Sequence, residues 1–148
     1  MRLRLFALIA ALIALAAPAR AENTVPSAQL QEILIKTSLL TLNDANITGN
    51  YAVLHAKLAK PFRDQFSPDR LKQIFKPFAD QKLDYSLIAA RPPVASAESI
   101  IDRRGALVTR GYFDTRPSRL TYEIDFLPSE GEWKPIKLNI DLKSVPGN

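Results

Sequence analysis

The chain has 148 residues, with 20 lysines and arginines against 15 aspartates and glutamates, one histidine and no cysteine. The missing cysteines exclude disulfide bonds and thiol catalysis, and a single histidine argues against a closed zinc site. Acidic residues interleave with the basic ones, whereas nucleic-acid-binding proteins gather lysine and arginine on one face, so no nucleic-acid partner is expected. No metal or cofactor is expected either.

The first 21 residues have the pattern of a secretory signal peptide. Arg2 and Arg4 precede an apolar run over residues 5–17, and small residues stand at Ala19 and Ala21. The run is shorter than the ~20 apolar residues that a membrane-spanning helix needs. We therefore expect cleavage before Glu22, a single domain over residues 22–148 with no membrane span after processing, and a location in the bacterial periplasm.

A first helix is predicted from about residue 28 to residue 46, with the hydroxyl of Ser27 as its N-terminal cap. At helical spacing, Glu32, Lys36 and Asn43 form a narrow polar face and the remainder is mostly apolar. A second line of polar side chains lies within the apolar band: Thr37, Thr41 and Asp44. Two interpretations are open for this line. Either the threonines bond to carbonyls one turn back while Asp44 caps the next helix, or the line faces a cavity.

A second helix is predicted to start at about Tyr51, after a break at Gly49. Tyr51, Leu54, His55 and Leu58 share one face of it, so the only histidine lies among apolar neighbours. Such a histidine is more often part of the core than a catalyst.

The sequence KPFRDQ at residues 60–65 nearly recurs as KPFADQ at residues 76–81. A proline disfavours the helical conformation of the residue before it, so Pro61 is expected to end the second helix and Pro77 to kink or end a third. The third helix starts at Ser67, with Pro68 in its first turn. Two short copies are too few for a repeat array, and we interpret the repeat as a helix-end device whose prolines stabilise the fold.

The second half of the chain alternates with a period of two, which predicts strands. They are expected at residues 83–89, 99–102, 106–114, 120–127 and 133–143, with a hairpin loop at residues 128–131. The last strand directs Ile136, Leu138, Ile140 and Leu142 inward. The opposite face carries charges of both signs, which favours cross-strand ion pairs: Arg110, Arg119, Glu123, Asp125, Lys137 and Asp141.

Helices followed by an antiparallel sheet of about four strands predict a two-layer α+β fold. Two short segments accompany this order: Thr48-Gly49-Asn50-Tyr51 before the second helix and Gly131-Glu132-Trp133-Lys134 before the last strand. With them, the chain resembles the nuclear-transport-factor-two-like superfamily. The likeness is strongest to its small secreted bacterial members of unassigned activity. The resemblance covers most of the chain after residue 21. It implies a cone-like curved sheet, a cavity between sheet and helices, and a homodimer formed through the sheet.

Asp44, Tyr51, His55 and Tyr122 are the candidate ligand-binding residues, because the first two helices are expected to bring them together over the concave side of the sheet. The expected function is a small periplasmic binding or accessory protein, which takes an apolar ligand in this cavity or a protein partner on its sheet. The alternative is a cofactor-free isomerase or lyase that uses an acid-base pair in the same cavity. No catalytic residue is assigned, because no catalytic motif of a known enzyme class is present.

Overall fold

The computed structural model describes residues 24–146 and has the predicted α+β architecture, with helices first and an open antiparallel sheet of five strands after them. Residues 1–21, to which the signal-peptide prediction applies, lie outside the described residues. The helices are α1 (Ala28–Thr48), α2 (Ala52–Lys57), α3 (Lys60–Arg63) and α4 (Pro68–Asp80), followed by a 3-10 helix at Ser86–Ala90. The strands are β1 (Val94–Ala95), β2 (Ile100–Ile101), β3 (Leu107–Phe113), β4 (Ser118–Ser129) and β5 (Glu132–Ser144).

Both predicted helix caps are confirmed. The Ser27 Oγ accepts the N–H of Leu30 at the start of α1, and the Ser67 Oγ accepts the N–H of Arg70 at the start of α4. Each serine satisfies an amide that has no partner within its own helix. Gly49 ends α1 in the left-handed conformation, with φ of 68°, which a glycine adopts without strain.

The repeat is helical in both copies, which corrects two boundaries. α2 ends at Lys57, and Lys60 begins α3 instead of ending α2. α4 continues through Pro77 to Asp80. The shared lysine and aspartate form the same ion pair one turn apart, Lys60–Asp64 and Lys76–Asp80, each at 2.7 Å. The repeat therefore encodes a local helical contact twice.

The strand predicted at residues 83–89 is wrong, because this segment is a turn followed by the 3-10 helix. The Asp84 Oδ1 accepts the N–H of Ser86 at 2.9 Å, and the Asn43 Oδ1 accepts the N–H of Tyr85 at 3.0 Å. These bonds satisfy the N–H groups of Tyr85 and Ser86 with side-chain oxygens, so these groups do not enter the hydrogen-bond ladder of a sheet. Asn43 is only 1% exposed, so its assignment to the polar face of the first helix was also wrong.

The central sheet follows the predicted pattern. Its order is β1-β3-β4-β5, with β2 also paired to β3, and all pairs are antiparallel. The inner face of β4 is buried and belongs to the core: Leu120, Tyr122, Ile124 and Phe126. On the outer face, Glu123 pairs with Arg110 and Lys137, and Asp125 pairs with Arg104. The predicted cross-strand ion pairs are confirmed for Glu123, whereas Asp125 pairs with a turn residue and Asp141 pairs with Lys143 of its own strand.

Candidate functional site

An apolar depression lies between α1, α2 and the tip of the β4–β5 hairpin, and we call it the α1–hairpin groove. Its volume is about 490 Å³. α1 contributes Leu30, Ile33, Leu34, Thr37, Ser38 and Thr41; α2 contributes Leu54, Ala56 and Lys57; the hairpin contributes residues 131–135, including Trp133 and Pro135. Ile33 belongs to the mostly apolar part of the α1 sequence pattern, yet it is 53% exposed.

The polar side chains of the α1 wall are largely satisfied by their own helix. The Ser38 hydroxyl donates to the Leu34 carbonyl at 2.8 Å, and the Thr41 hydroxyl donates to the Thr37 carbonyl at 2.7 Å. Back-bonding of this kind is the first interpretation offered for the threonine line, and it is confirmed for Thr41. The second interpretation also holds in part, because Thr37 and Thr41 line the groove. With the hydroxyls of Ser38 and Thr41 engaged, these two residues add few free polar groups to an apolar wall.

Side-chain and backbone bonds hold the hairpin wall in place. Glu130 and Gly131 form the two-residue turn with φ of 55° and 83°, the left-handed pair that a tight hairpin needs. Glu130 accepts ion pairs from Arg63 and Lys134 at 2.8 Å each. The Pro135 carbonyl accepts the N–H of Ala59 at 2.9 Å. The wall that carries Trp133 is thus fixed to the α2–α3 connection, and the groove is preformed.

Lys57 is the charged side chain of α2 at the groove. Its Nζ donates to the Thr41 Oγ1 at 3.1 Å. Within the described residues it forms no ion pair with a carboxylate, whereas Lys134 is paired with Glu130. The groove therefore combines apolar walls with three charged lining residues, Lys57, Glu132 and Lys134, of which Lys134 is paired with Glu130.

The four sequence-predicted site residues do not line this groove, and no hydrogen bond joins any two of them within residues 24–146. Asp44 is exposed, and it is Asn50, not Asp44, whose side chain accepts the amide of Ala52 at the start of α2. The Tyr51 hydroxyl donates to the Asn46 Oδ1 at 2.6 Å. The half-buried His55 places its Nε2 3.2 Å from the Arg63 carbonyl oxygen.

Tyr122 lies on the inner face of the sheet, where its ring packs 5.7 Å from that of Phe113. Its hydroxyl covers the backbone of Gly111, where a Cβ atom would lie 2.5 Å from it. Burial raises the pKa of Tyr122 to about 12, so the phenol is neutral at physiological pH. A glycine at position 111 is therefore required by the close approach of both the Val94 carbonyl oxygen and the Tyr122 hydroxyl.

Tyr51 is close to a second buried phenol that the sequence analysis placed on a strand. The Tyr85 hydroxyl has no hydrogen-bond partner within the described residues and is buried. Burial, followed by the charges of Tyr51 and Asp44, raises the pKa of Tyr85. Burial also raises the pKa of Tyr51. Phenols in this state remain neutral and do not supply a base near neutral pH.

Tyr51 also lines a polar pocket of about 470 Å³ between the end of α1 and α4. Lys72, Lys76, Asp69 and Asp80 form its rim. Because Lys76 already pairs with Asp80, this pocket is a solvated surface between charged side chains and not an apolar cavity.

Trp133, Leu30 and Ile33 are the groove residues that the sequence analysis missed as site residues. The available signal was the single tryptophan two residues after the tight turn. In residues 24–146, no three histidine, aspartate or glutamate side chains are grouped as metal ligands, and no helix of that part is long and apolar enough to cross a bilayer.

Comparison of the chain with protein-family models, with curated proteins and with solved structures finds no match.

Proposed function

We propose that this chain is a binding protein that holds a small apolar molecule in the α1–hairpin groove, and that it acts in the bacterial periplasm after removal of residues 1–21. The observation that carries the proposal is the exposure of Leu30 and Ile33 beside Trp133 in one preformed depression. Apolar side chains gathered in this way usually mark an interaction site. The resemblance to the nuclear-transport-factor-two-like superfamily, still a prediction, implies a ligand between helices and sheet and agrees with this location.

The dimensions of the groove support a small ligand. Binding pockets for small molecules have volumes of about 300–1,000 Å³ and mostly apolar walls with a few polar groups. A groove of about 490 Å³ with back-bonded hydroxyls and a single unpaired lysine fits this description. The Lys57 ammonium at the rim favours a ligand with an acceptor or an anionic group at one end.

An acid-base isomerase or lyase remains the second hypothesis, and the geometry gives it less support. Such an enzyme needs a carboxylate or imidazole facing its substrate across a cavity. Asp44 is exposed, His55 is engaged with a backbone carbonyl, and the buried phenols of Tyr51 and Tyr85 are neutral. None of these groups faces the α1–hairpin groove.

The test uses 1-anilinonaphthalene-8-sulfonate as an apolar, anionic probe of the exported protein. The chain contains one tryptophan, so the fluorescence of Trp133 reports directly on the groove. Ile33→Glu places a charge in the apolar wall, and we expect it to weaken probe binding by about tenfold or more, equivalent to ~1.4 kcal/mol. Val53→Glu is the matched control, since Val53 is 59% exposed on α2 and does not line the groove.

Equal binding by the parent, Ile33→Glu and Val53→Glu proteins would contradict the proposal, as would probe binding that leaves the emission of Trp133 unchanged. The location is tested separately by N-terminal sequencing of the periplasmic fraction. We expect Glu22 as the first residue, and recovery of the intact chain in the membrane fraction would overturn the periplasmic part of the proposal.

A further inference from the structure

β5 is an edge strand whose outer side is open over most of its length. β4 lies between β3 and β5 in the sheet, and β5 pairs with β4 alone. Alternate residues of an edge strand direct their N–H and C=O groups away from the sheet. Near the start of β5, the Pro135 carbonyl is bonded to Ala59 and the register shifts opposite Asp125 and Phe126. Within the described residues, no comparable bond from outside the sheet reaches residues 137–143.

The sequence of this open stretch is complementary to itself. Residues 137–141 read Lys-Leu-Asn-Ile-Asp. If two copies of the strand pair antiparallel about a two-fold axis at Asn139, each Lys137 lies opposite Asp141 of the second copy, on the exposed outer face. On the inner face, each Leu138 lies opposite Ile140 of the second copy. Opposite charges and apolar pairs directly across a ladder both stabilise it.

Neighbouring registers lack this complementarity. A two-fold axis at Ile140 would place Lys137 opposite Lys143, an axis at Lys137 would place two lysines in contact, and an axis at Asp141 would place two carboxylates in contact. A shift by a single residue would pair outer-face with inner-face side chains, which the pleat forbids. An axis at Leu138 would place Lys137 opposite Asn139 and Asp141 opposite Pro135, without a charge pair. The charges therefore favour the register centred on Asn139.

An apolar groove runs beside the same edge and can receive side chains of a second strand. Its volume is about 220 Å³, and it lies between α4 and the inner face of β5, with Ile74, Phe75, Ile136 and Leu138 among its lining residues. Ile74 is 43% exposed there. In the register centred on Asn139, Ile140 and Leu142 of the second copy lie next to Leu138 and Ile136, at the mouth of this groove.

We propose that two copies of this chain form a symmetric dimer by pairing their β5 edges antiparallel about Asn139, which joins the two sheets into one. The partner is a second copy because the edge is complementary to its own sequence in both charge and apolar side chains. Lys137 and Asp141 also pair within each copy, with Glu123 and Lys143, so the edge pairing adds a second opposite charge beside each of them. The outer face of the sheet is a poorer interface, since Glu123 there already pairs with Arg110 of the neighbouring strand. The dimer is independent of ligand binding in the α1–hairpin groove, which lies at the other end of β5 around Trp133.

A cysteine cross-link tests the register. The chain has no cysteine, so Asn139→Cys introduces a single thiol per copy. Residues directly opposite in an antiparallel pair have Cα atoms ~4.5–5.5 Å apart, within the range of a disulfide. We expect Asn139→Cys to form a covalent dimer under mild oxidation. Lys143→Cys is the control, because the two thiols would be roughly 26 Å apart at ~3.3 Å per residue.

Charge reversal tests the interface without cross-linking. Lys137→Glu or Asp141→Lys alone places like charges opposite each other twice in the dimer, and we expect either change to raise the dimer dissociation constant tenfold or more. The double variant restores opposite charges and should restore dimerisation, which a purely structural defect would not do. Circular dichroism checks that each variant is folded, and sedimentation measures its mass. A monomeric parent protein at high micromolar concentration, efficient cross-linking of Lys143→Cys alone, or no rescue in the double variant would overturn the proposal.

Discussion

The side chain of Asn43 binds the backbone of Tyr85, 42 positions further along the chain. Its Oδ1 accepts the N–H of Tyr85 at 3.0 Å, and its Nδ2 donates to the Asp84 Oδ1 at 3.1 Å. Both bonds join α1 to the segment that leads from the helices to the sheet. An asparagine that is 1% exposed is retained in a core only when its polar atoms are bonded, as they are here.

Asn43→Ala is therefore expected to destabilise the protein by about 2–3 kcal/mol, since it leaves the buried N–H of Tyr85 without a partner and opens a small cavity. Urea denaturation monitored by circular dichroism measures the change. Gln65→Ala, at an exposed position without a side-chain hydrogen bond in the described residues, is the control and should change stability by less than about 0.5 kcal/mol. Equal stability of the two variants would show that the Asn43 bonds contribute nothing measurable.

The two buried phenols of Tyr51 and Tyr85 are expected to respond in opposite ways to loss of the hydroxyl. Tyr51→Phe removes the 2.6 Å bond to Asn46, which is itself buried, and should destabilise by about 1 kcal/mol. Tyr85→Phe removes a buried hydroxyl that has no partner in the described residues, so stability should be unchanged or rise by up to about 1 kcal/mol.

Thermal unfolding of the two phenylalanine variants beside the parent protein checks this difference. The ring of Tyr51 stacks 6.3 Å from that of Phe75, and phenylalanine preserves this contact, so the comparison isolates the hydroxyl. A larger loss of stability for Tyr85→Phe than for Tyr51→Phe would contradict the assignment of partners and would indicate that a water molecule bonds to Tyr85.

Pro77 and Pro61 occupy different helical positions despite their shared sequence context. Pro77 lies inside α4, where it cannot donate to the carbonyl one turn back, whereas Pro61 lies in the first turn of α3. Pro77→Ala should therefore raise stability by about 1–2 kcal/mol, after allowance for the greater freedom of the unfolded chain. This reverses the expectation drawn from sequence, which had both prolines as stabilising helix-end residues.

Pro61→Ala is the matched comparison, because an amide in the first turn has no intrahelical partner and the expected change is a loss of less than about 1 kcal/mol. Guanidinium denaturation of both variants gives the two values. If Pro77→Ala were the more destabilising of the two, Pro77 would stabilise the fold by holding a bend in the helix. That result would agree with the sequence-based expectation that both prolines are stabilising.

Local signals predicted the fold where they were strong. Ser27 and Ser67 fixed two helix starts, and the period of two placed β3, β4 and β5 to within two residues. Periodicity failed at residues 83–89, where Leu83, Tyr85 and Leu87 alternate as in a strand. The bonds from Asn43 and Asp84 override that pattern, and the contact between positions 43 and 85 cannot be read from either segment alone.

The candidate site was less predictable than the fold, since helical periodicity does not show which part of an apolar face meets the core. Leu39 and Leu42 are fully buried, whereas Ile33 on the same helix is half exposed, because the core contacts the later turns of α1 more fully than its start. The α1–hairpin groove depends on where the tip of the β4–β5 hairpin lies relative to this first part of α1. That placement comes from tertiary contacts such as Ala59 with Pro135 and Arg63 with Glu130.

The carboxylate of Asp84 is expected to make stability depend on pH in the acidic range. Hydrogen bonds from the Ser86 amide, and then from the Asn43 side chain, hold the pKa of Asp84 below its usual value. A carboxyl whose pKa is lower in the folded than in the unfolded state stabilises the protein above its unfolded pKa of about 4, and this contribution is lost as pH falls through the folded value.

Asp84→Asn isolates this contribution, because the amide oxygen can still accept the Ser86 N–H while the charge is removed. We expect the variant to be less stable than the parent at pH 7. The difference between them should be smaller at pH 2.5, below the unfolded pKa of about 4, because the contribution of the charge is lost as pH falls toward the lowered folded pKa. Other carboxyls with lowered pKa values, among them Glu123 beside Lys137 and Arg110, titrate in both proteins, so only the difference between them is informative. Urea midpoints at the two pH values measure it. A difference that stays constant between pH 7 and pH 2.5 would mean that the Asp84 charge does not contribute to holding the turn against α1.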